Sequence, residues 1–314
     1  MWMRIRGVRR GIGASVAVSS LVALIMAAHT LVPNGPRTGN LGSLLATFLP
    51  WLGLAVPVLA ALAVIRRSAT AGAAVLLPAV VWCSLFGGVL LDKRSPGGGD
   101  LTVVSHNVGD DNPDPAGTAR LLAASGAELI ALEEMSADTA PAYERALAGA
   151  YPYHEVRDTV GLWSAYPLRD VDAVAIMPWT RSLRATADTP KGPLAVYVAH
   201  LASVRVVPGA GFATARRNEA ARALADAVRD EPLPRVVVLG DFNGTADDRA
   251  LSPVTSQLRS AQEEAGAGFG FTWPAAFPVA RIDQILVRGA TPAAAWTLPA
   301  TGSDHLPVAA SLRL

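Results

Sequence analysis

Six apolar runs in this chain of 314 residues end on, or open from, side chains able to do acid–base or metal chemistry. They carry Ser105-His106-Asn107, Glu133-Glu134, His200, Asp241-Phe242-Asn243, Asp283 and Asp304-His305. Taken singly, each has a plainer use. Asn107 suits a turn, Glu133-Glu134 a solvated strand end, His200 a hydrogen-bonded core position, Asp283 an ion pair with Arg281, and Gly240-Asp241 a strand-breaking turn. The set is harder to dismiss, because burying such groups unpaired costs several kcal/mol each. Together they suit attack by water on an ester that already carries negative charge. That reaction needs a hard cation held by oxygen ligands. It also needs a carboxylate to position or activate water, and imidazoles to donate to oxygens as charge builds. No Ser-His-Asp order is evident, and the single cysteine, Cys83, lies in an apolar N-terminal run.

The elements that must position these groups alternate between strand and helix patterns. "LTVVSHNV", "AELIALEEM", "YHEVR", "GLWSA", "DAVAIMP", "SLRATADT", "LAVYVAHLAS", "RVVVLGD", "RIDQILVR" and "PVAASLRL" read as strands. Asp114 before Pro115 predicts a capped helix start, and residues 213–230 predict an amphipathic helix burying Ala220, Ala221, Leu224 and Val228. Such a mixture over 101–314 implies one α/β domain with two packed sheets.

The first ninety residues are of another kind. Gly11–Pro36, Thr38–Ile65 and Ser68–Leu91 hold no charged side chain apart from Arg37, Arg66 and Arg67 between them. Each exceeds the roughly 20 residues that cross about 30 Å of hydrocarbon as a helix, so three transmembrane helices are expected in residues 1–91. Arg4, Arg6, Arg9, Arg10, Arg66 and Arg67 lie on one side of them, against Arg37, Lys93 and Arg94 on the other. That bias places the N-terminus in the cytoplasm and everything after Leu91 outside it. Residues 92–100, with Pro96 and three glycines, read as a linker to the domain at 101–314. Residues 1–100 carry nine basic and two acidic residues, net +7, leaving 18 basic and 24 acidic beyond, net −6. A domain that grips a long polyanion usually presents a basic face, so nucleic acid is disfavoured as a partner. Trp273 and Trp296 would suit an apolar lip at a bilayer, although packing is their plainer use.

In order, "SHNV", "ALEEM", "AHLAS", "GDFNGT", "RIDQILV" and "GSDHLP" resemble the endonuclease/exonuclease/phosphatase superfamily over about residues 101–314. The resemblance implies a four-layer α/β sandwich of the deoxyribonuclease I-like type, here preceded by three transmembrane helices. It implies cleavage of phosphate esters with Mg²⁺, Mn²⁺ being the alternative. By the same resemblance Asn107, Glu134 and Asp304 are metal-site residues, and Glu133 stands where the family more often has Gln. Asp241 orients or deprotonates water, Asn243 contacts phosphate or water, and His305 and His200 are the imidazoles at the phosphate. Asp283 orients His305. Gly109 stands where some nucleases place an acid, and Ala165 replaces an Arg of the "SRxPL" stretch. The helices plus this domain resemble the VanJ-like teicoplanin-resistance membrane proteins of actinobacteria. That implies a membrane lipid substrate, undecaprenyl pyrophosphate; a membrane-tethered nuclease or sphingomyelinase-like phosphodiesterase is the alternative.

Overall fold

A computed structural model describes residues 2–208 and 211–314, with side chains from Gly13 onward except Pro36. Helices α1 (Trp2–Ala27), α2 (Leu41–Phe48), α3 (Ala55–Ile65) and α4 (Ala69–Phe86) come first, the first three joined by 3₁₀ turns. Strands β1 (Leu101–Asn107) and β2 (Leu129–Glu133) then flank α5 (Pro115–Ala123), and α6 (Ala140–Leu147) leads to β3 (Tyr153–Arg157) and β4 (Val160–Ser164). Next come β5 (Leu168–Ala173), β6 (Ser182–Thr189), β7 (Gly192–His200), the short pair β8 (Arg205–Val207) and β9 (Gly211–Ala213), and α7 (Ala215–Arg229). The chain closes with β10 (Val236–Asp241), α8 (Ser252–Thr255), β11 (Arg259–Ser260), α9 (Ala261–Ala265), β12 (Asp283–Arg288), β13 (Thr291–Thr297) and β14 (Val308–Arg313).

Two six-stranded sheets result, in the orders β13-β14-β1-β2-β4-β3 and β11-β12-β10-β7-β6-β5. Their facing columns, among them Val103, Leu129 and Leu162 from one and Val196, Leu239 and Val287 from the other, form a single buried layer. The opposite faces carry a second and a third layer. Val104, Ile130 and Leu132 pack with Leu122 and Tyr143 of α5 and α6. Tyr197, Val236 and Val238 pack with Ala221, Leu224 and Val228 of α7. The architecture is therefore an α/β sandwich of two sheets with helices outside each, as the alternation of strand and helix patterns implies. Asp114 caps α5 by accepting from the Gly117 amide at 2.8 Å, and the four expected residues of α7 are fully buried.

Several expectations need correction. Among the described residues two stretches, not three, are long and apolar enough to cross a bilayer: Leu41–Ile65 and Ala69–Leu90. In place of the first expected crossing, α1 ends at Ala27, and its apolar part Gly13–Ala27 is shorter than a span requires. "DAVAIMP" is mostly irregular, because the edge strand β5 lies earlier, at Leu168–Ala173. Strand β13 escapes a propensity reading because it is alanine-rich and contains Pro292. An edge position with a register shift between Pro292 and Ala294 tolerates both.

The linker is also less free than its composition implies. The amides of Lys93, Ser95 and Asp100 donate to the carbonyls of Gly266, Ala293 and Leu312. Further upstream, the N-terminal segment docks on the sandwich. Asn40 Nδ2 donates to Phe212 O at 2.7 Å and Trp51 Nε1 to Val279 O at 2.7 Å. Trp51 stacks on Phe271 with ring centroids 5.7 Å apart, and Phe269 packs with Met26, Leu49 and Phe86.

Candidate active site

Strand alternation brings the chemistry-bearing residues to one rim. Along β1, Leu101 and Val103 face the layer between the sheets, so Ser105 and Asn107 continue that column. By the same period Glu133 ends the inward column of β2, His200 that of β7, Asp241 that of β10, and Asp283 opens that of β12. Register then sets neighbours. Asn107 lies beside Glu133, and Asp241 lies between His200 and Asp283. The end of β10 needs a glycine. Gly240 has φ of +155°, and a Cβ there would stand 1.8 Å from the carbonyl oxygen of Ala199 on β7. Gly240→Ala should separate the two strands that carry His200 and Asp241. The expected cost is about 3 kcal/mol, read by chemical denaturation.

Four of the expected residues form one hydrogen-bonded set. Asn107 Nδ2 donates to Glu134 Oε2 at 2.8 Å and to Asp241 Oδ2 at 3.0 Å. Asn243 gives its backbone amide to Asp241 Oδ1 at 2.8 Å and its side-chain amide to Oδ2 at 2.9 Å. Glu134 and Asn243 both leave their strands in the left-handed region, with φ of 61° and 47°. For non-glycine residues that conformation is uncommon, and here it turns both side chains to the rim.

The two histidines differ in place and charge. His305 Nδ1 meets Asp283 Oδ2 at 2.9 Å, and its Nε2 lies 3.9 Å from Asp304 Oδ1. Burial pulls its imidazole down, but Asp283, Asp241 and Asp304 together outweigh this and raise it to about 10. His200 is fully buried behind the rim, with Nε2 at 3.6 Å from both Glu134 Oε2 and Asp241 Oδ2. Burial first, then Arg181 and His305, hold it well below the ordinary range, so it is neutral. Burial also lifts Asp241 to about 7, with His305 opposing and Asp283 adding to the shift. Because the His305 value is raised, its stabilisation is complete below its ordinary 6.5 and is lost as pH rises through about 10. The thermal midpoint of metal-free protein should fall across that window, and His305→Gln should flatten the fall.

Asp304 is the most exposed member of the group. Its Oδ2 accepts from Trp273 Nε1 at 3.0 Å. A cleft of about 820 Å³ joins Glu134, Asp241, Asn243, Asp304 and His305, and Leu44, Thr47 and Phe48 of α2 line it as well. Asp241, Asp283 and His305 place ligand-type atoms within 4.8 Å of one another. A cationic His305 already bonded to Asp283 is nevertheless a poor metal donor. The carboxylates of Glu134 and Asp304 line the same cleft, with Asn107 bonded to Glu134, and such hard oxygen donors suit a divalent cation better. Glu133 stays inside the core, where its Oε1 accepts from Ser105 Oγ at 3.0 Å. Burial, then Asp283, push its carboxyl well up, consistent with a neutral acid rather than a ligand.

Sequence reading missed Arg181. It precedes β6, accepts a hydrogen bond from the His200 amide on its carbonyl, and lays its guanidinium against the His200 ring. Its Nε is buried without a hydrogen-bond partner. The only signal for it is the antiparallel pairing of Ser182 with Ala199, which the sequence does not display.

None of the curated proteins matches this chain. Among solved structures, humanized TDP2 of D. rerio superposes with a TM-score of 0.58 at 18% identity, covering 68% of this chain and 99% of that one. A mannosyl-6-phosphatase of Bacteroides thetaiotaomicron gives 0.56 at 15% identity, covering 68% and 99%. The beta toxin of Staphylococcus aureus gives 0.54 at 14% identity, covering 67% and 99%. At such identities these likenesses speak to the fold. The Endonuclease/Exonuclease/phosphatase family itself matches residues 104–305. That span is more than half of the chain and runs from β1 to His305, so the chain belongs to the Endonuclease/Exonuclease/phosphatase family of hydrolases.

Proposed function

We propose that the protein is a Mg²⁺-dependent phosphohydrolase that acts outside the cytoplasm on a membrane lipid phosphate, with undecaprenyl pyrophosphate as the first candidate. Family members typically depend on a divalent metal and act as phosphoesterases or nucleases. Glu134, Asn107 and Asp304 would hold the cation, which when bound neutralises phosphate charge and polarises the P–O bond. Asp241, lifted to about 7, accepts a proton from water at neutral pH. Asn107 and Asn243 fix its carboxylate. His305 keeps Nδ1 on Asp283 and offers Nε2–H to the phosphate as charge builds. Neutral His200 supports Glu134 and Asp241 from behind.

The observation that carries the substrate reading is the composition of the cleft. Leu44, Thr47 and Phe48 belong to Leu41–Ile65, one of the two span-length apolar stretches, and they line the same space as the site residues. Those two stretches bury only 17% and 22% of their apolar windows, unlike core helices of a soluble protein. Leu54, Val58, Val64, Leu76 and Val80 stand outward, as lipid-facing side chains would. A headgroup at the rim with its chain along α2 fits this arrangement. A membrane-tethered nuclease is the second reading, favoured by the fold match to a TDP2 complexed with single strand DNA product. The net charge of −6 beyond residue 100 argues against it.

Phosphate release from undecaprenyl pyrophosphate in detergent micelles, beside nicking of plasmid DNA, tests the proposal. Chelator-sensitive release from the lipid is expected. Cleavage of DNA with none of the lipid would replace this reading by the nuclease. A reporter fused after Leu314 that works only outside the cytoplasm should be active.

A further inference from the structure

A buried ion pair lies between the N-terminal segment and the catalytic rim. Arg217 on α7 and Asp248 meet at 2.6 Å, both side chains fully buried. From the N-terminal side, Asn34 Nδ2 donates to Asp248 Oδ1 at 3.4 Å, and Ser43 Oγ accepts from Arg217 Nη2 at 3.2 Å. Asn34 and Ser43 also bind each other, through Ser43 N to Asn34 Oδ1 at 2.7 Å and Asn34 Nδ2 to Ser43 Oγ at 2.9 Å. From the catalytic side, Arg217 Nη1 donates to the carbonyl of Asn243 at 3.3 Å. The next residue must be glycine for that reach, because a Cβ on Gly244 would stand 2.2 Å from Nη1. Asn243 is held in a left-handed conformation and puts two hydrogen bonds on Asp241.

We propose that Arg217 is a positioning residue, and that docking of residues 34–48 on the Arg217–Asp248 pair holds Asn243 in place against Asp241. The N-terminal segment is then a working part of the site rather than a tether. A buried guanidinium needs its donors satisfied, so its orientation is fixed by all its acceptors at once. Ser43 and Asn34 supply the acceptor and donor that come from outside the sandwich. When they are docked, the guanidinium is aimed at Asn243 O, and the same docking brings Leu44, Thr47 and Phe48 to the cleft. When they are absent, Arg217 keeps Asp248 and its neighbour Asn218 but loses the acceptor from outside the sandwich, and the strained turn at Asn243 relaxes. This inference rests on the proposed role of Asp241 and Asn243, and not on the lipid as substrate.

The test uses the full chain in detergent micelles with the Asn34→Ala/Ser43→Ala double variant, which leaves the ion pair intact. The probe is bis(4-nitrophenyl) phosphate, a small soluble ester that needs no apolar wall. The double variant should lose about tenfold in kcat with KM within about twofold, at an unchanged folded fraction. Hydrogen exchange of the peptide covering residues 241–245 should quicken, and Ser43→Thr alone, which keeps the hydroxyl, should behave as wild type. A kcat loss no larger than the loss of folded protein would overturn the proposal, as would unchanged exchange at 241–245. Wild-type turnover of the soluble ester without turnover of the lipid would sink the lipid reading alone. Should wild type cleave neither, the exchange result decides the inference by itself.

Discussion

Asp241→Asn is expected to lower kcat by about four orders of magnitude while the protein remains folded. The side chain is buried, and three hydrogen bonds reach it from Asn107 and Asn243. The carboxamide has the same shape, so packing is kept. It cannot take a proton from water, and it removes a negative charge that helps to raise His305. Its amide nitrogen must also face a donor in either orientation, the backbone amide of Asn243 or the side-chain amides of Asn107 and Asn243, a mismatch of about 1–3 kcal/mol. The measurement is kcat on a soluble phosphodiester together with the thermal midpoint. Loss of activity with loss of fold would make the residue structural, and retained activity would reassign the base.

The second large effect is on stability. Asp248→Ala should destabilise the fold by about 3–5 kcal/mol, because it leaves the buried guanidinium of Arg217 without its anion. Asp248 also accepts from the Ala250 amide at 3.0 Å, so a turn is loosened as well. Arg217 sits on the buried face of α7, against β10 and the turn that follows it. Denaturant unfolding of the full chain in micelles reads the loss. A shift under 1 kcal/mol would mean that water reaches Arg217 and that the pair is not the buried element described above.

Much of this was legible in the sequence, for physical reasons. Strands that bury one face end their inward columns at a common rim, so polar residues at the ends of β1, β2, β7, β10 and β12 were visible as a group. The register that makes Asp241 a neighbour of both His200 and Asp283 was not visible, since pairing partners leave no local mark. Nor was the histidine assignment. One imidazole is driven neutral by burial and the other cationic by carboxylates, and both environments are built from distant residues. Arg217 is one of four arginines in the amphipathic α7, and nothing local in the sequence marks it as the one turned inward. The N-terminal stretches showed their hydropathy plainly. Their docking did not show, because Asn34, Asn40 and Ser43 look like ordinary loop and helix-start residues. The same holds for Trp273, which bonds Asp304 in the cleft, whereas Trp296 packs against the outer layer of the first sheet.

The proposed function requires residues scattered over two hundred positions to hold a divalent cation in one cleft. Mn²⁺ titration of the full chain, followed by electron paramagnetic resonance, tests it most directly. Wild type should bind the ion, Glu134→Ala should weaken binding at least about tenfold, and Glu133→Gln should leave it unchanged. Equal binding by wild type and Glu134→Ala would overturn the proposed metal site.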